Sequence, residues 1–206
     1  MPGFQKTARG QETRARIIAA AADLIGERGV ALTSLDDVIG RAGVSKGQLY
    51  HYFENRAALL HEVIAHNTET VLAAQAPYLR SLDSWPAIRA WLDSLVELQV
   101  AGRAVNGCPI GALVSQLAEG DETARRSLAA SFGRWEAPVR DGLHSMQAAG
   151  RLAAEADPGQ LATATLAAIQ GGLLLSQVRR DPGQLAIALD AAYAHLRSHA
   201  PARPTS

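Results

Sequence analysis

The chain of 206 residues has a single cysteine, Cys108, so no intrachain disulfide can form and nothing points to a disulfide-stapled secreted scaffold. Aromatic residues are scarce, 5% against 48% hydrophobic residues, which predicts a helical core built largely of alanine and leucine. Charge of neither sign is in excess. Lys+Arg and Asp+Glu number 20 each, which argues against a general nucleic-acid coat protein. The first residues, MPGFQKTARGQETRAR, lack an apolar signal core, and no later run is expected to reach the roughly 18 apolar residues that cross a bilayer. A cytoplasmic chain with no membrane partner is expected. The minimal parts of catalysis are missing too. There is no G-x-S-x-G, P-loop, H-E-x-x-H or C-x-x-C, so an enzyme is a distant alternative and no cofactor is expected. His195 and His199 stand at i,i+4, a spacing that can bind a metal, but a surface pair near a chain end accounts for them and no metal site is expected.

What is present begins with residues 32–60, LTSLDDVIGRAGVSKGQLYHYFENRAALL, which read as two short helices, a tight turn and the start of a third helix. Thr33 or Ser34 can cap the first, with Asp36 or Asp37 as the returning carboxylate, and Leu35, Val38, Ile39 and Ala42 supply its inward face. Gly43 is placed to end it, since the abrupt turn needs a residue at ease at positive φ, and Val44 drops into the corner. Ser45 and Gln48 then form an S-x-x-Q capping box that turns a polar first turn, Ser45, Lys46, Gly47 and Gln48, away from the packed side. Leu49 and Phe53 are expected in the core. This is the outline of a helix-turn-helix DNA reader. Charge along the chain agrees, with eight Lys/Arg against six Asp/Glu in residues 1–60 and twelve against fourteen afterwards.

The string T-S-L-x-x-V-x-x-x-A-G-V-S-K-G-x-L-Y-x-Y-F-x-N-R-x-x-L-L resembles the N-terminal domain of TetR-family transcriptional regulators, over roughly residues 13–62. The resemblance implies an all-α homodimer that binds a palindromic DNA operator and leaves it on binding a small-molecule effector. It further implies that Thr33 or Ser34, Tyr50 and Arg56 touch phosphates, and that Ser45, Lys46, Gly47, Gln48 and His51 face the major groove. Three positions depart from the usual pattern. Ile39 replaces a small alanine, Gln48 replaces threonine or serine and so changes which base is read, and Arg56 replaces lysine, keeping the charge while adding a fork.

Helical periodicity continues to the end, predicting about nine helices in an all-α chain. The first is expected from Thr13 to Arg28, with Ile17, Ala21, Leu24 and Ile25 on one face, Glu12 paired with Arg16 and Gly29 as its stop. Gly3, Lys6, Arg9 and Gly10 before it read as a loose basic arm. Arg56 opens a connecting helix that should end near Pro77, Ser84 caps another through Val105, and Asn106-Gly107-Cys108-Pro109 breaks the chain. Ile110–Ala118 reads as a short helix, and a long one from Asp121 to Gly150 carries Pro138. Asp157-Pro158-Gly159-Gln160-Leu161-Ala162 recurs at Asp181–Ala186, each copy a helix start with an aspartate cap. The expected domains are residues 1–60 for DNA, 61–198 for ligand binding and dimerisation, and 199–206 as a loose tail.

Trp91, Leu95, Leu98, Ile110, Leu113, Phe132, Trp135 and Met146, beside Gln99, Ser115 and Gln170, either line a pocket for a small, largely apolar effector or fill a core. Cys108 reads as a small buried hydrophobe in preference to a redox thiol. The segment Gly107–Leu113 resembles a branch of the same family, in which it lies beside the effector pocket. For the last two helices, Ala168 and Gly172 on one and Leu185, Leu189, Ala192 and Leu196 on the other form either the seam of a four-helix dimer interface or an ordinary intrachain core. The resemblance favours the dimer seam. The expected function is a ligand-released repressor, with an activator or a ligand-independent regulator as the alternative.

Overall fold

The computed structural model describes residues 8–102 and 107–201, and among them it contains nine α-helices and no strand. They are α1 (Ala8–Arg28), α2 (Leu35–Ala42), α3 (Lys46–Tyr52), α4 (Arg56–Leu79), α5 (Trp85–Ala101), α6 (Gly111–Leu117), α7 (Glu122–Ala148), α8 (Pro158–Arg179) and α9 (Gly183–Ser198). Two compact units divide the chain: Met1–Thr70 with Ala112–Ser131, and Val71–Gly111 with Phe132–Ser206. The division differs from a boundary at residue 60. The first half of α4 still buries Leu59, Leu60, Val63 and Ile64 within the first unit, and residues 112–131 join it although no local signal in the sequence ties them to the reader.

In the first unit, α1 starts earlier than its periodicity suggested. The Thr13 hydroxyl donates back to the Arg9 carbonyl at 2.9 Å, a bond of a helix interior rather than a cap, so Arg9 and Gly10 are helical and not a loose arm. Gly3 and Lys6 lie outside the described residues. Arg16 does not serve a pair with Glu12; its Nε donates to the Ala42 carbonyl at 2.9 Å and so closes the C-terminus of α2 onto α1.

In the second unit, Gln75 is the polar centre of an apolar core. Its Oε1 accepts the indole N–H groups of Trp91 and Trp135 at 3.0 Å each, and its Nε2 donates to the Val71 carbonyl. A buried indole N–H needs an acceptor, and one carboxamide here serves two. The chain also packs closely around Gly142, where a Cβ would sit 2.5 Å from the Leu82 carbonyl oxygen. The helix α4 runs two residues beyond Pro77; α5 ends at Ala101, with the Gly102 N–H returning to the Leu98 carbonyl at 3.0 Å, and Val105, where its end was expected, lies outside the described residues. Asn106 lies outside the described residues.

Both copies of the repeated hexapeptide stand at helix starts, but only Asp157 is the N-cap expected of it; α9 begins one residue later, at Gly183, with Pro182 as its N-cap. Asp157 Oδ1 accepts the Gly159 N–H at 2.8 Å and its Oδ2 accepts Gln160 Nε2; Asp181 does the same with Gly183 at 2.9 Å and Gln184 Nε2 at 2.7 Å. The helices they start pack on each other. A Cβ on Gly172 would meet Leu185 Cδ1 at 2.8 Å, and Leu185, Leu189 and Leu196 are fully buried. By length and composition α8 is apolar enough to cross a membrane, with mean hydropathy 1.4 over 18 residues, contrary to the expectation that no run would be. Its inner face is committed to α9, and Ser176 accepts the Leu185 N–H there at 3.0 Å. The expected tail is tied down at its start, because the Ala153 N–H donates to the His199 carbonyl at 2.8 Å. Residues 202–206 lie outside the described residues.

Candidate nucleic-acid interface

The reader is assembled from two capping boxes and a left-handed glycine. Ser34 is the N-cap of α2: its hydroxyl accepts the Asp37 N–H at 3.1 Å while Asp37 returns to the Ser34 N–H at 3.0 Å. The Asp37 carboxyl is held below its ordinary range by the hydroxyl and then the backbone N–H of Ser34, with Arg28 adding to the effect. Gly43, at φ 62°, ends α2, and the Val44 N–H returns to the Ile39 carbonyl at 3.2 Å. Ser45 then caps α3, its hydroxyl accepting the Gln48 N–H at 3.2 Å and Gln48 Oε1 accepting the Ser45 N–H at 2.8 Å. Leu49 and Phe53 are buried, which leaves Ser45, Lys46, Gly47, Gln48, Tyr50 and His51 exposed together. Arg14 steadies the end of α3, standing 5.6 Å over the Phe53 ring while it pairs with Glu62.

The cations sort themselves. Arg41 forks onto both carboxylate oxygens of Glu27 at 2.9 Å, Arg28 pairs with Asp37 at 3.5 Å, and Arg14 and Arg16 are engaged as described. Lys46 has no ion pair among the described residues and stands exposed in the first turn of α3.

Of the expected phosphate contacts Thr33 is turned inward, while Arg56 stays exposed with one guanidinium nitrogen on backbone carbonyls. Thr33 is only 5% exposed and its hydroxyl donates to the Gly29 carbonyl at 2.8 Å. Arg56 Nη2 donates to the carbonyls of Val30 and Thr33, the second at 3.2 Å, while the residue remains exposed. A buried or half-buried carbonyl row competes for a guanidinium as strongly as a phosphate does, and the sequence does not say which the side chain can reach.

The residues expected around an effector are mostly buried core. Trp91, Ile110, Leu113, Trp135 and Met146 are fully enclosed, Leu95, Gln99 and Cys108 nearly so, and Phe132 stacks on Trp135 at 6.5 Å. Leu98 is 47% exposed, on the outer side of α5, and Leu113 belongs to the first unit. An open groove of about 600 Å³ in the second unit, between Leu72, Leu82, Arg134, Pro138 and Asp141, shares no residue with the expected set. Gly107 and Gly111 explain the glycines around Cys108: a Cβ on either would sit 2.6 Å from the carboxamide oxygen of Gln177 or Gln170, two turns apart on α8. Burial pushes the Cys108 thiol up, against redox reactivity. The buried amide nitrogens of Gln99 and Gln170 have no hydrogen-bond partner among the described residues.

The expected dimer seam is also corrected. Leu185, Leu189, Ala192 and Leu196 are buried inside one chain, as is Gly172, which packs on Leu185, and Ala168 is half-buried. The outward residues are Ala164, Ala167, Gly171, Leu174 and Val178 on α8, at alternating spacings of three and four, and Ile187 and Ala191 on α9. Both stripes fit a helix, and periodicity alone does not tell which meets its own chain. His195 and His199 stand edge to face at 5.1 Å; among the described residues no three potential metal ligands cluster.

Sequence reasoning missed Gln75 and Gln116. Two tryptophans on buried stripes signal the need for an acceptor, which could have pointed to Gln75. Gln116 accepts the Val30 N–H at 2.6 Å across 86 residues, and no local pattern marks it.

A short helix capped for exposure, set behind a glycine turn on a buried brace, defines a helix-turn-helix transcriptional regulator. Comparison with known proteins makes this specific. Residues 17–63 match the family model of bacterial regulatory proteins of the tetR family, and residues 85–191 match that of the C-terminal domain of LmrA/YxaF-like transcriptional regulators. An uncharacterized HTH-type transcriptional regulator of Mycobacterium tuberculosis is 31% identical over 175 residues, 83% of this chain and 87% of that one. The uncharacterized HTH-type regulator YxaF of Bacillus subtilis is 28% identical, over 85% of this chain and 90% of its own. A TetR transcriptional regulator from Chloroflexus aurantiacus, 25% identical, superposes with a TM-score of 0.81 over 93% of this chain and 98% of its own. One from Cytophaga hutchinsonii, 18% identical, shares the fold with a TM-score of 0.82 over 97% and 100%. The chain belongs to the TetR family, and is a DNA-binding transcriptional regulator and not an enzyme.

Proposed function

We propose that the chain is a cytoplasmic homodimeric repressor that holds a palindromic operator with two copies of α3 and releases it on binding a small, largely apolar effector. The observation that carries the reading is the exposed first turn of α3, capped so that Ser45, Lys46, Gly47 and Gln48 point away from a fully buried Leu49. Lys46, Tyr50 and the Ser34 end of α2 meet phosphates, while Ser45, Gly47, Gln48 and His51 face base edges. Because Gln48 Oε1 is engaged by the Ser45 N–H, its amide nitrogen is the free end, a donor suited to the acceptors of a purine edge or thymine O4. Dimerisation uses the outward stripes of α8 and α9, whose Leu174, Val178 and Ile187 are 60%, 74% and 67% exposed. The unpartnered amides of Gln99 and Gln170 favour an effector that brings hydrogen-bond acceptors into the second unit.

Selection of duplexes from a random DNA pool tests this. Inverted repeats with half-sites about one helical turn apart are expected; recovery of single, non-repeated sites overturns the dimeric reading. A compound that displaces the selected duplex must itself bind more weakly, by the same factor, to the DNA-bound protein in calorimetry, and a displacer indifferent to DNA overturns the release mechanism.

A further inference from the structure

The turn between α1 and α2 sets the angle at which the reader meets its brace, and its polar backbone groups are held from three directions. The Gly29 N–H returns to Ile25 at 2.8 Å, and the Gly29 carbonyl accepts the Thr33 hydroxyl. The Val30 carbonyl accepts the Thr33 N–H at 3.2 Å and the Arg56 guanidinium, and Arg56 also reaches the Thr33 carbonyl. Ala31 and Leu32 are exposed, but the Val30 N–H belongs to a residue only 5% exposed, and its acceptor comes from α6: Gln116 Oε1 at 2.6 Å. The Gln116 carboxamide is itself oriented, its Nε2 donating to the Ala112 carbonyl at 2.7 Å one turn back. Gly29, at φ +85°, makes the approach feasible, since a Cβ there would sit 2.9 Å from Gln116 Oε1. Without this acceptor a nearly buried N–H would stand unmet at the point where the brace turns into α2.

We infer that Gln116 is a positioning residue for DNA recognition: it fixes the α1–α2 turn through the Val30 N–H, so that the DNA-reading part of the chain includes α6, far beyond the helix-turn-helix in sequence. The Val30 bond needs only an acceptor at the end of a side chain of this length, the solvent-exposed Nε2 bond to Ala112 adding orientation that is dispensable. A glutamate satisfies it, and an alanine or leucine does not.

The test uses the full-length protein and a duplex selected from random DNA by the unaltered chain, with a scrambled duplex as control. Gln116→Ala and Gln116→Leu are expected to weaken the selected duplex on the order of tenfold, the factor that about 1.4 kcal/mol gives when the loosened turn must be re-ordered on binding. The scrambled duplex should bind as before, because phosphate attraction does not depend on the turn. Gln116→Glu should stay within about twofold of the unaltered protein on both, since a carboxylate accepts the same N–H. Amide exchange at Val30 should quicken in the alanine and leucine variants and not in the glutamate one. Unchanged affinity of Gln116→Ala for the selected duplex overturns the inference. So does a Gln116→Glu variant as weak as the alanine one, or an equal loss on both duplexes, which would mark a general loss of stability.

Discussion

The helix-turn-helix and the α8–α9 pair are held by different kinds of interaction, and the difference decides how each responds to change. In the reader, short helices are fixed at their ends by named polar partners, Ser34 with Asp37, Ser45 with Gln48, Arg16 on Ala42 and Gln116 on Val30. In the pair, two long helices bury apolar faces, with Gly172 against Leu185 and with Leu189 and Leu196 fully enclosed. Each polar bond contributes about 1 kcal/mol and specifies an angle. Each buried leucine contributes about 2 kcal/mol and specifies a face.

The largest effect should come from breaking the seam. Leu189→Arg or Gly172→Glu places an unpaired charge, or bulk, in a filled contact and should destabilise the subunit by about 3–5 kcal/mol, read as lost cooperative unfolding in urea. Well-folded monomers from either variant would mean that the inner and outer faces of the pair are assigned the wrong way round. Next in size, Leu174→Arg with Val178→Arg alters only the outward stripe. Helicity and urea midpoint should hold, while sedimentation shows dimer dissociation weakened by about two orders of magnitude; a wild-type dimer constant places the interface elsewhere.

Smaller effects are expected in the reader, and they should divide by chemistry. Lys46→Ala should reduce binding to every duplex and flatten the salt slope by about one unit for each α3 engaged. Gln48→Ala should shift base preference and also cost about 1 kcal/mol of stability, because the same side chain completes the cap of α3. Equal salt slopes and equal base preferences in the two variants would remove the distinction between phosphate and base contacts.

The smallest effect is one in which both regions should agree. Asp37 in the reader is lowered from 3.8 by Ser34; Asp157 and Asp181 in the pair are lowered by Gln160 and Gln184 respectively, each with a glycine N–H. A depressed carboxyl contributes its full stabilisation above its unfolded value, near 3.8, and loses it as pH falls through the lower folded value. Acid should therefore loosen the starts of α2, α8 and α9 below about pH 4, and Asp37→Asn should remove that dependence from α2 alone. Residue-resolved amide exchange during an acid titration measures it.

The same contrast explains what could be read from the sequence. Caps are local, so the Ser34 and Ser45 boxes, the Gly43 turn and the Asp157 cap were legible within four residues, whereas α9 starts one residue past the expected Asp181 cap. The element order and the burial of Leu49 and Phe53 followed from period alone. Faces and distant partners were not legible. The two stripes of α8 have the same helical spacing, so the seam was assigned to the dimer when it belongs to the chain. A cation at a helix start gives no sign of the carbonyls beneath it, so the backbone bonds of Arg56 were not legible beside its expected phosphate contact. Gln75 and Gln116 act across 16 and 86 residues, where only the folded chain brings the partners together.

The shared acceptor at Gln75 gives the protein an optical property. Trp91 and Trp135 are enclosed and hydrogen-bonded to one oxygen, whereas the remaining tryptophan, Trp85, is half-buried, 5.0 Å beneath the Arg197 guanidinium and edge-on to Tyr193. With Trp85→Phe, emission comes only from the buried pair, and its wavelength reports whether the two indoles still share that carboxamide. A molecule entering the core of the second unit would then announce itself by colour, without a label and before any DNA is added.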